Sequence, residues 1–367
     1  MTEKVDIIRP TSNVQRPTSN VQRPTSNVQR NLFPKTITIF LKMFVSGVLA
    51  LFILTLLCKF YFNLPLNFAD PSGATDKKRE LNAYFAYCLE GFSYGRINNE
   101  GRNDSIYYEE GMPLNILVMG SSHMEAFEVM RKDNTASLLA KFSDKIVYNI
   151  GMSAHRFITC AMNLETALKR YTPYDYVVIE TAALNFSDDD LEGIINKSIP
   201  KIPESKFRAY NKGFMYMLRR NDFLRLMNVQ FKIGGAENPS NENVSVSNTS
   251  NNAELLSEVL MQLNETAQSY GVKLIIAYHP SITLNKDGTI SINGNPDITA
   301  QFSELCAQNG IYFVDTGKRF LDEYAKDYTL PYGFMNTSVA KGHMNKYGHR
   351  MFAEEIYKLI QRIEAQS

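Results

Sequence analysis

The sequence predicts a doubly wound α/β domain, in which helices flank a parallel sheet, preceded by one transmembrane helix. The sheet is predicted by short apolar runs that stop at a glycine or a polar residue, with amphipathic helical patterns between them. Strands that alternate with helices are typical of βαβ units, whose strands run parallel and are buried on both faces. The apolar runs are 114–120, 145–150, 176–180, 272–278 and 311–315, and helical patterns lie at 136–142, 159–171 and 254–270.

Composition and charge narrow the class of protein. Of the 367 residues, 44% are hydrophobic and 21% are charged, values close to those of globular proteins. The net charge is +1, and the first 36 residues carry six basic and two acidic groups, so residues 37–367 sum to −3. A body without excess positive charge argues against nucleic-acid binding. The four cysteines are widely spaced and none stands in a zinc-ligand pattern, so we expect no cysteine-based metal site.

The N-terminal part predicts a disordered cytoplasmic tail followed by a membrane anchor. Residues 1–36 contain three copies of RPTSNVQ between 9 and 30, with too few apolar residues for a core or a coiled coil. A multivalent docking tail is the alternative. Residues 37–62 carry two charged side chains, Lys42 and Lys59, and as a helix would span about 39 Å, more than the roughly 30 Å hydrocarbon core. A cleaved signal peptide is the competing interpretation, but no small-residue cleavage site follows.

The distribution of basic residues predicts the orientation of this anchor. The basic residues before this segment or early in it include Arg9, Arg16, Arg23, Arg30, Lys35 and Lys42, whereas after Lys59, near its end, no basic residue follows until Lys77. By the positive-inside rule the N-terminus is cytoplasmic and the C-terminal domain is periplasmic or extracellular. We expect 63–110 to form a linker and a lead-in helix, and 111–367 to form the α/β domain, with a polar surface loop at 235–253.

Polar residues at the strand ends are the candidate site, because open parallel sheets bind ligands at the carboxyl ends of their strands. Gly120 and Ser121 follow the first strand, and a serine at the next position, Ser122, would be exposed at the start of a helix as a nucleophile. An ordinary N-cap serine is the alternative. His343, in the GHMN-x-x-GH segment before the last helix, is the candidate base, with helix capping or packing as its alternative. Two other histidines that follow strands are candidates to line the cleft, His123 and His279.

The order of these motifs resembles the SGNH/GDSL hydrolase superfamily over residues 111–363, whose sheet is flavodoxin-like. The resemblance implies that Ser122 is the acyl-accepting nucleophile and that His343 takes its proton. It also implies an oxyanion hole formed by the N–H groups of Ser122 and Gly151 and by the side chain of Asn185. Neither a metal nor an organic cofactor is needed for this chemistry.

The sequence departs from the family pattern in three places. Ser121 replaces the usual aspartate of the first motif, and the Gly and Asp that normally flank the asparagine of the third motif are absent around Asn185. Ala340 replaces the aspartate three residues before His343, so no acid stands there to orient the imidazole. Three possibilities remain open: a backbone carbonyl in that role, Asp315 as the orienting acid, or a site without catalysis.

The resemblance to single-span envelope proteins of this superfamily implies the kind of substrate. We expect a membrane-anchored serine esterase or O-acyltransferase that acts on acyl esters, chiefly acetyl, of an envelope or extracellular polysaccharide. A multi-span membrane protein that donates the acyl group is a candidate partner. The alternative is a binding or assembly protein of the cell envelope that has the same fold but no turnover.

Overall fold

The computed structural model describes residues 32–65, 67–69, 77–197, 221–231 and 253–366. The chain divides into two units, residues 1–52 and 53–367. The RPTSNVQ repeats and residues 235–252 of the predicted surface loop lie outside the described residues, so what we infer about them stays a prediction.

The first described element is a long apolar helix, α1 (Leu32–Tyr61). Its segment Lys35–Tyr61 has a mean hydropathy of 2.4 in its most apolar window and is long enough to cross a membrane. Large apolar side chains along it are exposed, including Phe44 and Leu57. Length and composition therefore agree with the predicted span at 37–62, whereas its orientation remains a prediction.

Residues 63–110 form antiparallel hairpins where the sequence analysis predicted a linker and a helix. Strand β1 (Asn67–Ala69) pairs with β2 (Lys77–Arg79), and β3 (Tyr84–Tyr87) pairs with β4 (Ser93–Arg96). No described residue in this segment is helical, so the predicted lead-in helix is wrong. The physical reason lies in the aromatic side chains of β3 and β4, which favour strands. A turn at Gly91, whose φ of 66° suits glycine, separates the two strands.

Five parallel strands form the central sheet, as the apolar runs predicted. They are β5 (Ile116–Met119), β6 (Val147–Asn149), β7 (Tyr176–Thr181), β8 (Lys273–Tyr278) and β11 (Tyr312–Asp315), in the order β11-β8-β7-β5-β6. The inner strands β5 and β7 are buried along their whole length. Two short antiparallel pairs accompany the sheet, namely β9 (Ile282–Leu284) with β10 (Ile290–Ile292) and β12 (Tyr332–Gly333) with β13 (Val339–Met344).

Helices cover both faces of the sheet, and alternate strand residues pack against each layer. Leu117 of β5 belongs to the apolar cluster on one face, and Ile116 and Val118 belong to the cluster on the other. The first cluster includes residues of α4 (Phe157–Tyr171), α5 (Asp188–Ile195), α7 (Ala253–Ser269) and α8 (Pro296–Gln308). The second includes residues of α2 (Ser122–Glu125), α3 (Thr135–Ser143), α9 (Gly317–Asp327) and α10 (Lys346–Glu364). A further short helix, α6, spans Asp222–Phe231. The predicted doubly wound fold is confirmed.

Candidate active site

Ser122 begins the short helix α2 at the carboxyl end of β5. The residue before it, Ser121, is the N-cap, and its hydroxyl accepts a hydrogen bond from the His123 N–H at 3.3 Å. Because Ser121 performs the capping, the Ser122 hydroxyl is not used for it. Ser122 Oγ lies 2.8 Å from His343 Nε2, a hydrogen-bond distance. The two residues that the sequence analysis selected as nucleophile and base are therefore in direct contact.

His343 lies on strand β13 and is held by a glutamate on its other side. Its Nδ1 is 2.9 Å from Glu90 Oε2, and its backbone N–H donates to the same oxygen, also at 2.9 Å. The sequence analysis placed His343 in a loop, whereas the structure places it in a short strand paired with β12. Ser122, His343 and Glu90 form the continuous hydroxyl–imidazole–carboxylate chain that acyl-transfer enzymes use.

The orienting acid suggested from sequence, Asp315, is elsewhere. Asp315 ends β11 at the edge of the sheet, and its Oδ1 accepts a hydrogen bond from the Gly317 N–H at 2.8 Å, at the start of α9. Glu90 makes the contact with His343 that Asp315 was expected to make. This corrects the sequence-based assignment. Glu90 belongs to the 63–110 segment, in which no motif pointed to chemistry.

Gly342 explains how Glu90 can come so close to the histidine. Its φ is 83°, a conformation that favours glycine, and a Cβ at this position would stand 2.7 Å from Glu90 Oε2. Ala340, where the family has its aspartate, is buried in the apolar cluster that contains α10. The carboxylate that is missing at 340 is thus supplied from the β3–β4 loop, through space that Gly342 leaves open.

A side-chain amide braces the loop that carries Glu90. Asn336 Nδ2 donates to the carbonyls of Cys88 at 2.9 Å and Gly91 at 3.1 Å. The N–H of Gly91 donates back to Asn336 Oδ1 at 2.9 Å. These three bonds tie both sides of Glu90 to the turn between β12 and β13, next to the strand that carries His343.

A second, largely buried network lies beneath the Ser121–Ser122 turn. Glu180 Oε2 accepts the Ser121 N–H at 2.6 Å, and Glu180 Oε1 is 2.5 Å from His279 Nε2. His279 Nδ1 is in turn 2.8 Å from the Tyr332 hydroxyl. The exposed fractions of Glu180 and His279 are 1% and 0%. His279 therefore supports the turn from below and does not line a cleft, because the sheet and the β12 strand enclose it.

The remaining histidines near the site differ in their surroundings. The His123 ring lies 4.6 Å from that of His279 and 5.1 Å from that of His343, measured between ring centroids, and its Nδ1 accepts the Met344 N–H at 3.2 Å. Burial lowers the pKa of His123 well below its usual value, so this ring stays neutral. His349 is a buried packing residue on α10, and its Nδ1 is bonded to the Thr135 hydroxyl at 2.8 Å.

The oxyanion donors expected from the resemblance are only partly available. The N–H of Gly151 is occupied, because it donates to Asn149 Oδ1 at 2.9 Å, and this corrects its assignment as a donor to substrate. Asn185 is exposed and makes no hydrogen bond to any described residue, so its role stays a prediction. The N–H of Ser122 has no partner among the described residues either.

The segment after β6 offers another backbone donor beside α2. Ser153 donates its N–H to Glu125 Oε2 at 2.9 Å, and its hydroxyl bonds to the same oxygen. The next residue, Ala154, has a φ of 68°, and its N–H has no partner within the described part of the chain.

Two carboxylates beside His343 raise the proton affinity of its imidazole. Burial alone would lower the pKa of His343, but the carboxylates of Glu128 and Glu90 outweigh it and raise that pKa to about 9. Burial would likewise raise the pKa of Glu90, but its hydrogen bonds to His343 lower it. The pair is therefore built to stabilise the imidazolium that forms when the histidine takes a proton.

Comparison with known proteins gives matches among solved structures. No family model matches the chain, and no curated protein matches it. The chain is similar to structures of SGNH and GDSL hydrolases. A protein described as an SGNH hydrolase from Slackia heliotrinireducens is 14% identical, with 68% of this chain and 99% of that chain covered and a TM-score of 0.36. A member of the GDSL lipolytic family from Veillonella parvula is 12% identical, with coverage of 68% and 98% and a TM-score of 0.36. An acetyl xylan esterase is 12% identical, with coverage of 67% and 100% and a TM-score of 0.38.

Proposed function

We propose that this protein is a serine esterase or O-acyltransferase that works through an ester on Ser122. The observation that supports this proposal is a continuous series of hydrogen bonds. Ser122 Oγ lies 2.8 Å from His343 Nε2, and His343 Nδ1 lies 2.9 Å from Glu90 Oε2. A serine hydroxyl is a weak nucleophile until a base within hydrogen-bond reach accepts its proton. His343 is within that reach, and Glu90 fixes the imidazole so that Nε2 faces the hydroxyl.

The reaction follows from this arrangement. Ser122 Oγ attacks the acyl carbon while its proton passes to His343 Nε2. The tetrahedral intermediate then collapses, the bond to the alcohol breaks, and the alcohol leaves with the proton from Nε2. An acceptor, water in hydrolysis or a sugar hydroxyl in transfer, then attacks the acyl carbon and gives its proton to Nε2. The bond from the acyl carbon to Ser122 Oγ breaks, and Oγ takes the proton back from Nε2.

Charge on the intermediate is stabilised from two sides. The N–H of Ser122 and the side chain of Asn185 are the proposed donors to the oxyanion, and one such donor is worth about 3 kcal/mol in a comparable site. Glu90 stabilises the imidazolium and holds the proton on Nδ1. The missing aspartate at 340 motivated the non-catalytic alternative, and the contact between Glu90 and His343 supports the catalytic one.

The substrate is proposed from the resemblance and from helix α1. Single-span members of the superfamily modify envelope polysaccharides, which favours acetyl esters of an envelope or extracellular polysaccharide. A helix long enough to cross a membrane supports an anchored enzyme with its α/β domain on the periplasmic or extracellular side. In the transfer reaction, a multi-span membrane protein would supply the acyl group.

Release of acyl groups by the full-length chain in detergent tests this function. We expect the wild type to release nitrophenol from 4-nitrophenyl acetate and acetate from acetylated xylan. Ser122→Ala and His343→Ala should lose at least about a thousandfold in kcat/KM, as removal of a triad member does elsewhere. Ser137→Ala is the matched control. It removes a serine hydroxyl on α3 that makes no bond to His343, so this variant should retain full activity.

The same assay separates hydrolysis from transfer. Adding an oligosaccharide acceptor should divert acetyl groups to the acceptor if the protein is a transferase, and should leave acetate release unchanged if it is a hydrolase. Activity in the folded Ser122→Ala variant equal to that of the wild type would overturn the proposal.

A further inference from the structure

A second glutamate lies beside the same imidazole nitrogen as Glu90. Glu128 Oε1 is 3.6 Å from His343 Nδ1, compared with 2.9 Å for Glu90 Oε2. Glu128 is 5% exposed, and its Oε2 has no hydrogen-bond partner within the described ranges. A buried carboxylate oxygen without a partner is destabilising, and a neighbouring positive charge is the interaction that would offset it. His343 is the cation that can form there.

Backbone packing holds the two carboxylates side by side. Gly91, the residue after Glu90, lies so close to the Glu128 carbonyl that any Cβ at position 91 would overlap it. On the same side, the hydroxyl of Ser93 donates to the Phe127 carbonyl. The β3–β4 loop therefore packs directly against residues 127–128. The backbone at Glu128 is held against the loop that carries Glu90.

We propose that Glu128 is a positioning residue for His343, a second carboxylate that acts with Glu90 to stabilise the protonated imidazole. This inference rests on the proposed function, in which Nε2 receives the Ser122 proton while the Nδ1 proton stays in the hydrogen bond to Glu90. Glu128 exchanges no proton in that step. Burial raises the pKa of Glu128 to about 7, so above that pH it supplies negative charge when the imidazole becomes positive.

Other charged or titratable groups around His343 are already engaged or point elsewhere. Glu180 on β7 acts on it from a distance, but its oxygens are bonded to Ser121 and His279. His123 on α2 is neutral, and Lys341 on the same strand is exposed. Among the described residues, Glu90 and Glu128 are the carboxylates within 4 Å of Nδ1. We therefore expect a substitution at 128 to remove a charge beside the imidazole and to leave the contact with Glu90 in place.

Titration of the His343 imidazole by nitrogen NMR tests the proposal without requiring turnover. The full-length chain in detergent, labelled on its five histidines, is compared with Glu128→Gln, and a His343→Gln sample assigns the signal. We expect the Glu128→Gln midpoint to fall by about one pH unit, a tenfold weaker proton affinity, because a charge 3.6 Å away is removed. Glu110→Gln removes an exposed charge elsewhere and should leave the midpoint unchanged.

Kinetics then distinguish electrostatic positioning from a merely structural role. In Glu128→Gln the acid limb of the pH–rate profile should move down by the same amount as the NMR midpoint. Glu90→Gln alone should retain more activity than Glu90→Gln/Glu128→Gln, because one carboxylate still faces Nδ1. We expect the double variant to lose about a further tenfold, towards the roughly 10⁴-fold loss known for a triad without its acid.

Each outcome is decisive for one of the two proposals. An unchanged His343 midpoint in folded Glu128→Gln overturns the role of Glu128, whatever the activity. A shifted midpoint in a protein that hydrolyses no ester supports the role of Glu128 and counts against the proposed function. If Glu128→Gln fails to fold, Glu128→Asp is used instead, because it withdraws the carboxylate by one methylene. The His343 midpoint should then fall by a smaller amount. No fall in that midpoint would overturn the proposal.

Discussion

Glu90 and His343 are 253 positions apart in the sequence and are joined by two hydrogen bonds of 2.9 Å to one carboxylate oxygen. One bond comes from the imidazole and the other from the backbone N–H, so the carboxylate fixes both the ring and the strand that carries it. A carboxylate held in this way sets which nitrogen of the ring faces Ser122. The candidate site thus depends on a hairpin that lies outside the central sheet.

Substitution of Gly342 tests that dependence. The Cβ of Gly342→Ala would stand within 3 Å of the Glu90 carboxylate and should displace it, so we expect kcat to fall by about a hundredfold or more. Gly288→Ala is a matched control, because its φ of 82° is nearly the same and a Cβ there meets nothing within 4 Å. Steady-state hydrolysis of 4-nitrophenyl acetate measures both variants. Equal losses in the two would assign the effect to backbone strain and not to Glu90.

The buried ion pair between Arg79 and Glu125 should matter for stability. Arg79 Nε and Nη2 lie 2.6 and 2.7 Å from the two oxygens of Glu125, which is on the same short helix as Ser122. Arg79→Met leaves the Glu125 carboxylate buried without its partner, and we expect a loss of about 3–5 kcal/mol. Thermal unfolding followed by circular dichroism measures it.

An exposed ion pair provides the control for that experiment. Lys318 pairs with Asp322 on α9, but its side chain is 84% exposed. Lys318→Met should change the free energy of unfolding by less than about 1 kcal/mol. A comparable loss in both variants would mean that burial does not decide the strength of the Arg79 pair.

Stability should fall on mild acidification because of His349. Burial lowers the pKa of His349 from 6.5 to about 3, so the unfolded chain binds a proton there more readily than the folded chain does. The stability from the neutral ring is fully present above pH 6.5 and is lost as pH falls towards about 3. Unfolding midpoints measured between pH 7 and 5 should therefore decline less steeply in His349→Gln. The same slope in both proteins would contradict this account.

The sequence predicted the sheet and two members of the candidate site for a common physical reason. Buried parallel strands require uninterrupted apolar runs, and these runs locate the strand ends at which Ser122 lies. His343 could be found from its position before the last helix. Glu90 could not, because its role arises when the β3–β4 loop reaches Gly342 in three dimensions, and no spacing rule links residues so distant in sequence.

Gly151 and His279 are residues that the sequence located correctly but to which it assigned the wrong role. Each follows a predicted strand as expected, but the Gly151 N–H is taken by Asn149, and His279 is enclosed between Glu180 and Tyr332. The position of a residue after a predicted strand indicates that it lies at the carboxyl edge of the sheet. Its hydrogen-bond partners decide whether its polar atoms are free to meet a substrate.

The most direct test of the central claim is the intact mass of the full-length protein after reaction with a fluorophosphonate. If His343 and Glu90 activate Ser122, the wild type should gain one adduct, Ser122→Ala should gain none, and Glu90→Gln should react more slowly. The Ser137→Ala control should react as the wild type does. A folded wild type that gains no adduct, or a Ser122→Ala variant that gains one at the same rate, would contradict the account.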